Sequence, residues 1–221
     1  MTSEERKLKS IEILKKKNIP YIDHLPVICS AQNIKLRSKE DIAKRAATLL
    51  IVSGYAGDVV NNNDIIASKE FFYENLRKYD LVGNLTEREE KFFINDIPLR
   101  NEALQLVWQY ESCYALLWSL GLVNTLFFPD KTCSEGSISY LLAKCNSFDE
   151  FYQKTKLRNV NEILDEADLI YRYHWAIVDA RLKRISPPAK LEEGVVLERH
   201  RALNWVINHN NEDWDNVRVD T

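Results

Sequence analysis

Glycine is scarce in this sequence: six occur in 221 residues. They are too few and too scattered to build a loop that cradles a phosphate, and no Walker-type pattern is present. Cysteine is equally uninformative as a ligand. Cys29, Cys113, Cys133 and Cys145 form no C-x-x-C pair and have no histidine at zinc-site spacing. The thiols are expected to be reduced, with Cys113 an inert mid-helix residue and Cys133, in "FFPDKTC", the most reachable. H-E-x-x-H, paired glutamate/histidine di-iron spacing and G-x-S-x-G are all missing, so the chain is expected to carry no metal and no cofactor. No apolar run approaches the ~20 residues of a membrane span, and the charged first residues make no signal peptide, which points to the cytoplasm.

Linkers are missing as well. No Gly/Ser-rich or low-complexity run occurs, and the one Pro-Pro, Pro187 and Pro188, lies between two helical patterns. The expected organisation is one domain over residues 1–221: an N-terminal helix and arm (1–36), a helical core (37–208) and an irregular acidic tail (209–221). The net charge of −3, with 45% hydrophobic and 29% charged residues, is that of a folded protein. It argues against nucleic acid or an anionic membrane as partner. Lysines crowd residues 1–17, where they offset a helix dipole and stay solvated.

What the sequence does contain is helical periodicity. The expected class is all-α, with about eight helices and any strand confined to the arm near residues 20–36, where two prolines and β-branched residues favour an extended chain. Ser38 caps a helix that ends near Gly57, Ser68 opens another, and Thr86 with Glu89 makes a capping box. Residues 99–122 form the most apolar helix, closed by Gly121. Short helices follow near 136–145 and 148–156, then a long pair at 161–185 and 192–208.

The long pair places histidines among apolar residues. Leu164, Ala167, Tyr171, His174, Val178 and Leu182 make one stripe; Val196, His200, Leu203 and Ile207 make another. Antiparallel packing through the 186–191 turn accounts for both histidines facing inward. Asp165, Asp168, Arg172 and Asp179 are expected to form an outward charge-alternating stripe, too far around the helix from His174 to share an ion with it.

Ionisable groups on or beside core-facing stripes form the candidate interior cluster: Arg45, Glu111, His174, Arg181, Glu198, Arg199 and His200. Glu111 is the sharpest, because an unpaired carboxylate on a buried face costs several kcal/mol and so demands a basic partner or a proton. Arg45, Arg199 and the two histidines are the candidate partners. Doubled aromatics are the candidate interaction residues: Phe71, Phe72 and Tyr73, then Phe92 and Phe93, then Phe127 and Phe128. Three consecutive aromatics span ~200° of a helix, more than one flat contact hides.

Five segments resemble a known family: "LRSKEDIAKRAATLL", "VWQYESCYALLWSLGLV", "EILDEADLIYRYHWAIVDARL", "GVVLERHRALNWVI" and the closing "EDWDNVRVDT". In this order, from about residue 36 onward, they are similar to the bacterial proteins grouped as domain of unknown function 4272. Gln109 and Ser112 depart from that pattern, which has a basic residue and an alanine there, so the resemblance carries over no role for a charge at position 109. It implies kinship of fold and leaves activity open. The reading is therefore a non-catalytic cytoplasmic module whose partner is a protein, a second copy included. The alternative is a small-molecule-binding protein or a metal-independent enzyme using the interior Glu/His/Arg cluster.

Overall fold

The computed structural model describes all 221 residues, and its regular secondary structure is helical throughout, with no strand. Nine α-helices stand where about eight were expected: α1 (Ser3–Lys16), α2 (Lys39–Val60), α3 (Ile65–Lys78), α4 (Glu87–Ile94), α5 (Arg100–Ser119), α6 (Glu135–Ala143), α7 (Phe148–Gln153), α8 (Val160–Leu182) and α9 (Glu193–Val206). None is long and apolar enough to cross a membrane. The arm at residues 20–36 makes turns and extended chain without strand pairing.

The shortage of glycine shapes the helix ends. Asn18, Asn62, Asp80, Arg184 and Asn208 follow α1, α2, α3, α8 and α9 with φ between 53° and 57°. Asparagine and aspartate enter this left-handed region more readily than other non-glycine residues, so they serve as stops. The next residue then folds back: the N–H groups of Ile19, Leu81 and Ile185 donate to the carbonyls of Leu14, Leu76 and Ala180 at 2.8–3.0 Å. After α5 the stop is a true glycine, Gly121 at φ 71°, where a Cβ would lie 2.9 Å from the Lys156 carbonyl oxygen.

The chain forms two compact units. One comprises Ser38–Thr125 and Cys133–Leu157, and its axis is α2 against α5. Small residues on α2, among them Ala46, Ala47, Ser53 and Ala56, are fully buried. The Ser53 hydroxyl donates to the Leu106 carbonyl at 2.8 Å, and the Cys113 thiol to Ala46 at 3.4 Å. Helix α2 runs to Val60 rather than ending near Gly57, since a helix interior tolerates Gly57 when flanked by buried Ala56 and Val59. Helix α3 begins at Ile65 on an Asp64 cap, three residues before the expected Ser68. Asp64 accepts from both Ile66 and Ala67, while the Ser68 hydroxyl donates to Asp58 at 2.6 Å.

The other unit comprises Met1–Arg37, Leu126–Thr132 and Arg158–Thr221. Its axis is α8, with α1 and α9 against it. Arg6, fully buried, donates to Asp165 at 3.0 Å and to Asn161 at 3.2 Å; Lys9 adds a second contact to Asp165 at 2.6 Å. Contacts between α8 and α9 join His174 to His200 and Arg181 to Glu193, so rising numbers on one helix meet falling numbers on the other and the pair is antiparallel.

The outward charged stripe needs correction. Asp168 and Arg172 are buried and form a bidentate pair, 2.8 Å at both contacts. The periodicity of α8 alone cannot register the arm, which lies over this face and takes an Arg172 hydrogen bond on the Pro26 carbonyl. Asp165 is also engaged, through Arg6 and Lys9, and only Asp179, paired with the exposed Lys183, stays on the outer face.

Removing one partner of a buried pair strands the other. Asp168→Ala should lower stability by about 3–5 kcal/mol in denaturant melts, against under about 1 for Asp179→Ala. Equal small losses would mean that Arg172 finds compensation elsewhere.

Candidate functional site

The two histidines are brought together. His174 Nδ1 lies 3.0 Å from His200 Nδ1, and the rings meet edge to face with centroids 5.2 Å apart. Only one nitrogen of that contact can carry the proton, so one imidazole is the Nδ1–H tautomer with a bare Nε2, and the other carries its proton on Nε2. Both are held neutral. Burial pushes His200 down to about 3, helped by His174 and His209; burial and the Arg181 cation lower His174, against the pull of Glu193.

Helix α8 also carries Glu166, a carboxyl outside the cluster expected from the sequence. Burial, reinforced by neighbouring Asp165, raises Glu166 to about 7, with Lys9, Arg199 and Arg158 opposing. The signal was present in a second stripe: Ile163, Glu166, Ile170, Tyr173 and Ile177 recur at three- and four-residue spacings, and the four other members are buried. Tyr173 packs edge to face on Phe128, over which Lys17 sits 4.0 Å from the ring centre. Arg199 is buried and donates to the Phe127 carbonyl at 2.6 Å, fixing the 126–132 loop.

The remaining members of the expected cluster divide by environment. Glu198 is buried and accepts from Arg201 at 3.1 and 3.3 Å. Arg181 belongs to the surface instead: its side chain is largely exposed and pairs with Glu193 at 2.9 Å, because α8 is emerging into solvent, where Leu182 is also bare. Arg45 and Glu111 lie in the other unit, both buried. Arg45 pairs with Glu89 at 2.6 Å, so the capping glutamate of α4 doubles as a buried counter-ion. Glu111 accepts the backbone N–H of Cys133. No three histidine, cysteine, aspartate or glutamate side chains gather in metal-binding reach.

The doubled aromatics also divide. Phe92 and Phe93 are buried against Tyr55, whose ring stacks on Phe93 at 4.8 Å, and Phe72 closes the third side at 6.3 Å. Gly54 makes room, since a Cβ there would sit 2.6 Å from the Phe72 ring. The Tyr55 hydroxyl, enclosed by these rings, has no hydrogen-bond partner. Tyr73 and Phe128 are half-buried, whereas Phe71 and Phe127 face solvent.

Along α3 runs an open groove of about 680 Å³, lined by Ile65, Ile66, Lys69, Glu70, Tyr73, Glu74, Arg77 and Asp96. Lys69 ties α3 to the turn before α5, reaching the Ile94 carbonyl at 3.3 Å and the Asp96 carboxylate at 3.2 Å. Sequence patterning singled out the Phe71–Tyr73 run but not this face, because the face mixes apolar and charged residues in a way that reads as ordinary solvent exposure.

The chain belongs to the family described as Domain of unknown function (DUF4272), which matches residues 6–217. No curated protein and no solved structure matches it.

The buried groups make stability depend on pH in two opposed ways. Below about 6.5 the unfolded chain protonates histidines that the folded chain keeps neutral, so acid lowers stability through this pair by at most about 1.4 kcal/mol per pH unit per histidine. His200→Leu should flatten that loss in melts taken from pH 7 to 5; an unchanged slope would mean that other groups carry it. Glu166 acts with the reverse sign: its folded pKa is above the ordinary 4.5, so stability is lost as pH rises from there through about 7. Glu166→Gln should therefore melt above the wild type at pH 8 and level with it at pH 4. A lower melting point at pH 8 would show that the carboxylate is stabilising.

Proposed function

We propose that this chain is a non-catalytic interaction module of the bacterial cytoplasm that binds another protein through the face formed by α3 and the turn before α5. The observation carrying this reading is a set of large apolar side chains left in water. Ile66 and Ile97 are each 81% exposed, Ile94 75%, Leu99 66% and Phe71 62%. Singly exposed apolar residues are ordinary, but here Ile66 lines the groove and Ile94 and Ile97 flank its Asp96 in sequence, and apolar side chains so placed are characteristic of a binding surface.

A protein is the partner that fits. The groove's charges are of mixed sign, and the chain has no net positive charge with which to hold nucleic acid or an anionic membrane. The four cysteines are unpaired, in keeping with a reducing compartment. The alternative, acid/base chemistry by the interior polar groups, has less support: Arg45 and Arg199 are engaged in contacts that hold a helix and a loop, Glu198 pairs with Arg201 within α9, and the two histidines satisfy each other.

The test is capture from a lysate of the source cells by tagged wild type and by an Ile66→Asp, Ile97→Asp variant. Substitutions at such exposed positions should shift stability by under about 0.5 kcal/mol, so the variant should melt with the wild type and lose the specific partner. Capture of the same proteins by both, or of none by the wild type, would remove this reading.

A further inference from the structure

We propose that Cys145 and Lys154 form a reversible cross-link, in which hydrogen peroxide oxidises the Cys145 sulfur and the Lys154 amine then bonds to it as a sulfenamide. The contact that carries this is direct: Lys154 Nζ lies 3.3 Å from Cys145 Sγ. Cys113 and Cys133 turn their sulfurs to the backbone carbonyls of Ala46 and Tyr110, whereas Cys145 meets an amine as well as the Leu141 carbonyl.

The two residues bracket the short helix α7, and each is anchored. The Cys145 carbonyl accepts from the Tyr79 hydroxyl at 3.0 Å and from Lys78 Nζ at 3.3 Å, which fixes it to the end of α3. Lys154 is held from its other side by Glu150, whose carboxylate accepts from Nζ at 2.7 Å. Glu150 is itself fixed by the Asn146 N–H at 2.8 Å, and that bond, with the one from Lys154, pushes it down to about 2. The carboxylate therefore stays charged and keeps the lysine head on the sulfur. Cys145 is 1% exposed, but Lys144 and Asn146 on either side of it face solvent and the Lys154 side chain over it is 40% exposed. A lysine stem is flexible, so its movement admits a molecule as small as peroxide.

The chemistry has two steps. Sulfur first attacks one peroxide oxygen: an S–O bond forms, the O–O bond breaks, and the thiol proton leaves with the departing hydroxide as water, so sulfur is oxidised by two electrons and peroxide reduced. The Lys154 nitrogen then attacks the sulfenic sulfur, forming S–N as S–O breaks. The hydroxide leaves as water with one proton from nitrogen, and the remaining ammonium proton goes to solvent. Hydrogen bonding to Glu150, then to Cys145, raises the Lys154 pKa, so closure runs through a small share of free amine. Proximity offsets that share, since the two atoms already stand within the about 3–3.5 Å of a near-attack arrangement. A small thiol reopens the ring by attacking sulfur, which releases the amine and leaves a disulfide that a second thiol reduces. The closed form ties α7 into a ring of residues 145–154 attached to α3 through Tyr79 and Lys78.

Peptide mapping tests this on the full chain, because trypsin cuts after Lys144, Lys154 and Lys156. Wild type exposed to hydrogen peroxide and then alkylated should lose the cut after Lys154 and yield residues 145–156 two hydrogens lighter, with Cys145 unalkylated and no fragment ions from between the joined residues. Dithiothreitol should restore the cut. Lys154→Arg keeps a cation for Glu150 but removes the amine, so it should give no lighter species and leave a sulfenic acid that dimedone traps. Cys145→Ala should keep the cut under peroxide, and circular dichroism of the three chains should coincide. An unaffected cut in treated wild type overturns the proposal, as does Cys145 recovered only with added oxygen or in a disulfide to another cysteine. Loss of the cut in Cys145→Ala would place the modification on the lysine alone and overturn it too.

Discussion

A charge withdrawn from water must meet an opposite charge or give up its own, and in the α8 unit that constraint organises everything around one helix. Asp165 is answered by Arg6 and Lys9, which bring α1 to α8. Asp168 and Arg172 answer each other, and the Nη2 that donates to Asp168 also reaches the arm at the Pro26 carbonyl. His174 stays neutral against His200 and so marks the α9 contact. Each neighbouring segment thus meets α8 through a polar group with few alternative partners, while the surrounding leucines and isoleucines supply the non-directional stabilisation. The hydrophobic residues favour collapse; the buried polar pairs decide which collapsed arrangement is free of an unmet charge.

The α2/α5 unit is held differently. Close approach there comes from small residues on α2, and the gap around Gly54 is filled by an aromatic box of Tyr55, Phe72, Phe92 and Phe93. Arg45 and Glu89 form an ion pair buried at both ends, and Glu89 is also the residue that closes the α4 capping box. One carboxylate fixes a helix start and neutralises a core arginine, so α4 is positioned by the same group that lets it begin. The scarcity of glycine reappears at the helix ends, where asparagine does the work at a modest cost in backbone strain.

The sequence disclosed what depends on one helix at a time. Caps at Ser38 and Thr86, the Gly121 stop and the inward stripes of His174 and His200 are set by local spacing, and all reappear in the fold. It failed where a second segment supplies the environment. Asp168 and Arg172 read as surface residues because nothing in α8 announces the arm that covers them. Arg181 read as interior because its stripe is apolar, yet that stripe runs out past the end of the packed region at Leu182. Glu166 was legible in principle, since Ile163, Ile170, Tyr173 and Ile177 frame it, but its position near a helix N-terminus offered an easier explanation. Burial is a property of pairs of elements, and a periodicity belongs to one.

That distinction bears on function. Buried polar groups in this chain are mostly accounted for by the contacts that position helices, so their unusual protonation is a consequence of folding and by itself identifies no chemistry. Exposed apolar groups have the opposite standing. Nothing in the stability of the α2/α5 unit requires Ile66, Ile94, Ile97 and Leu99 to face water; each adds apolar surface in water without compensation inside the chain. A feature that the fold does not need, carried by α3 and the segment from Ile94 to Leu99 and set among charges of both signs, is best explained by something outside the fold. The surface where local folding rules leave a residue unexplained is therefore a better guide to what this protein does than the interior where they explain nearly all of it.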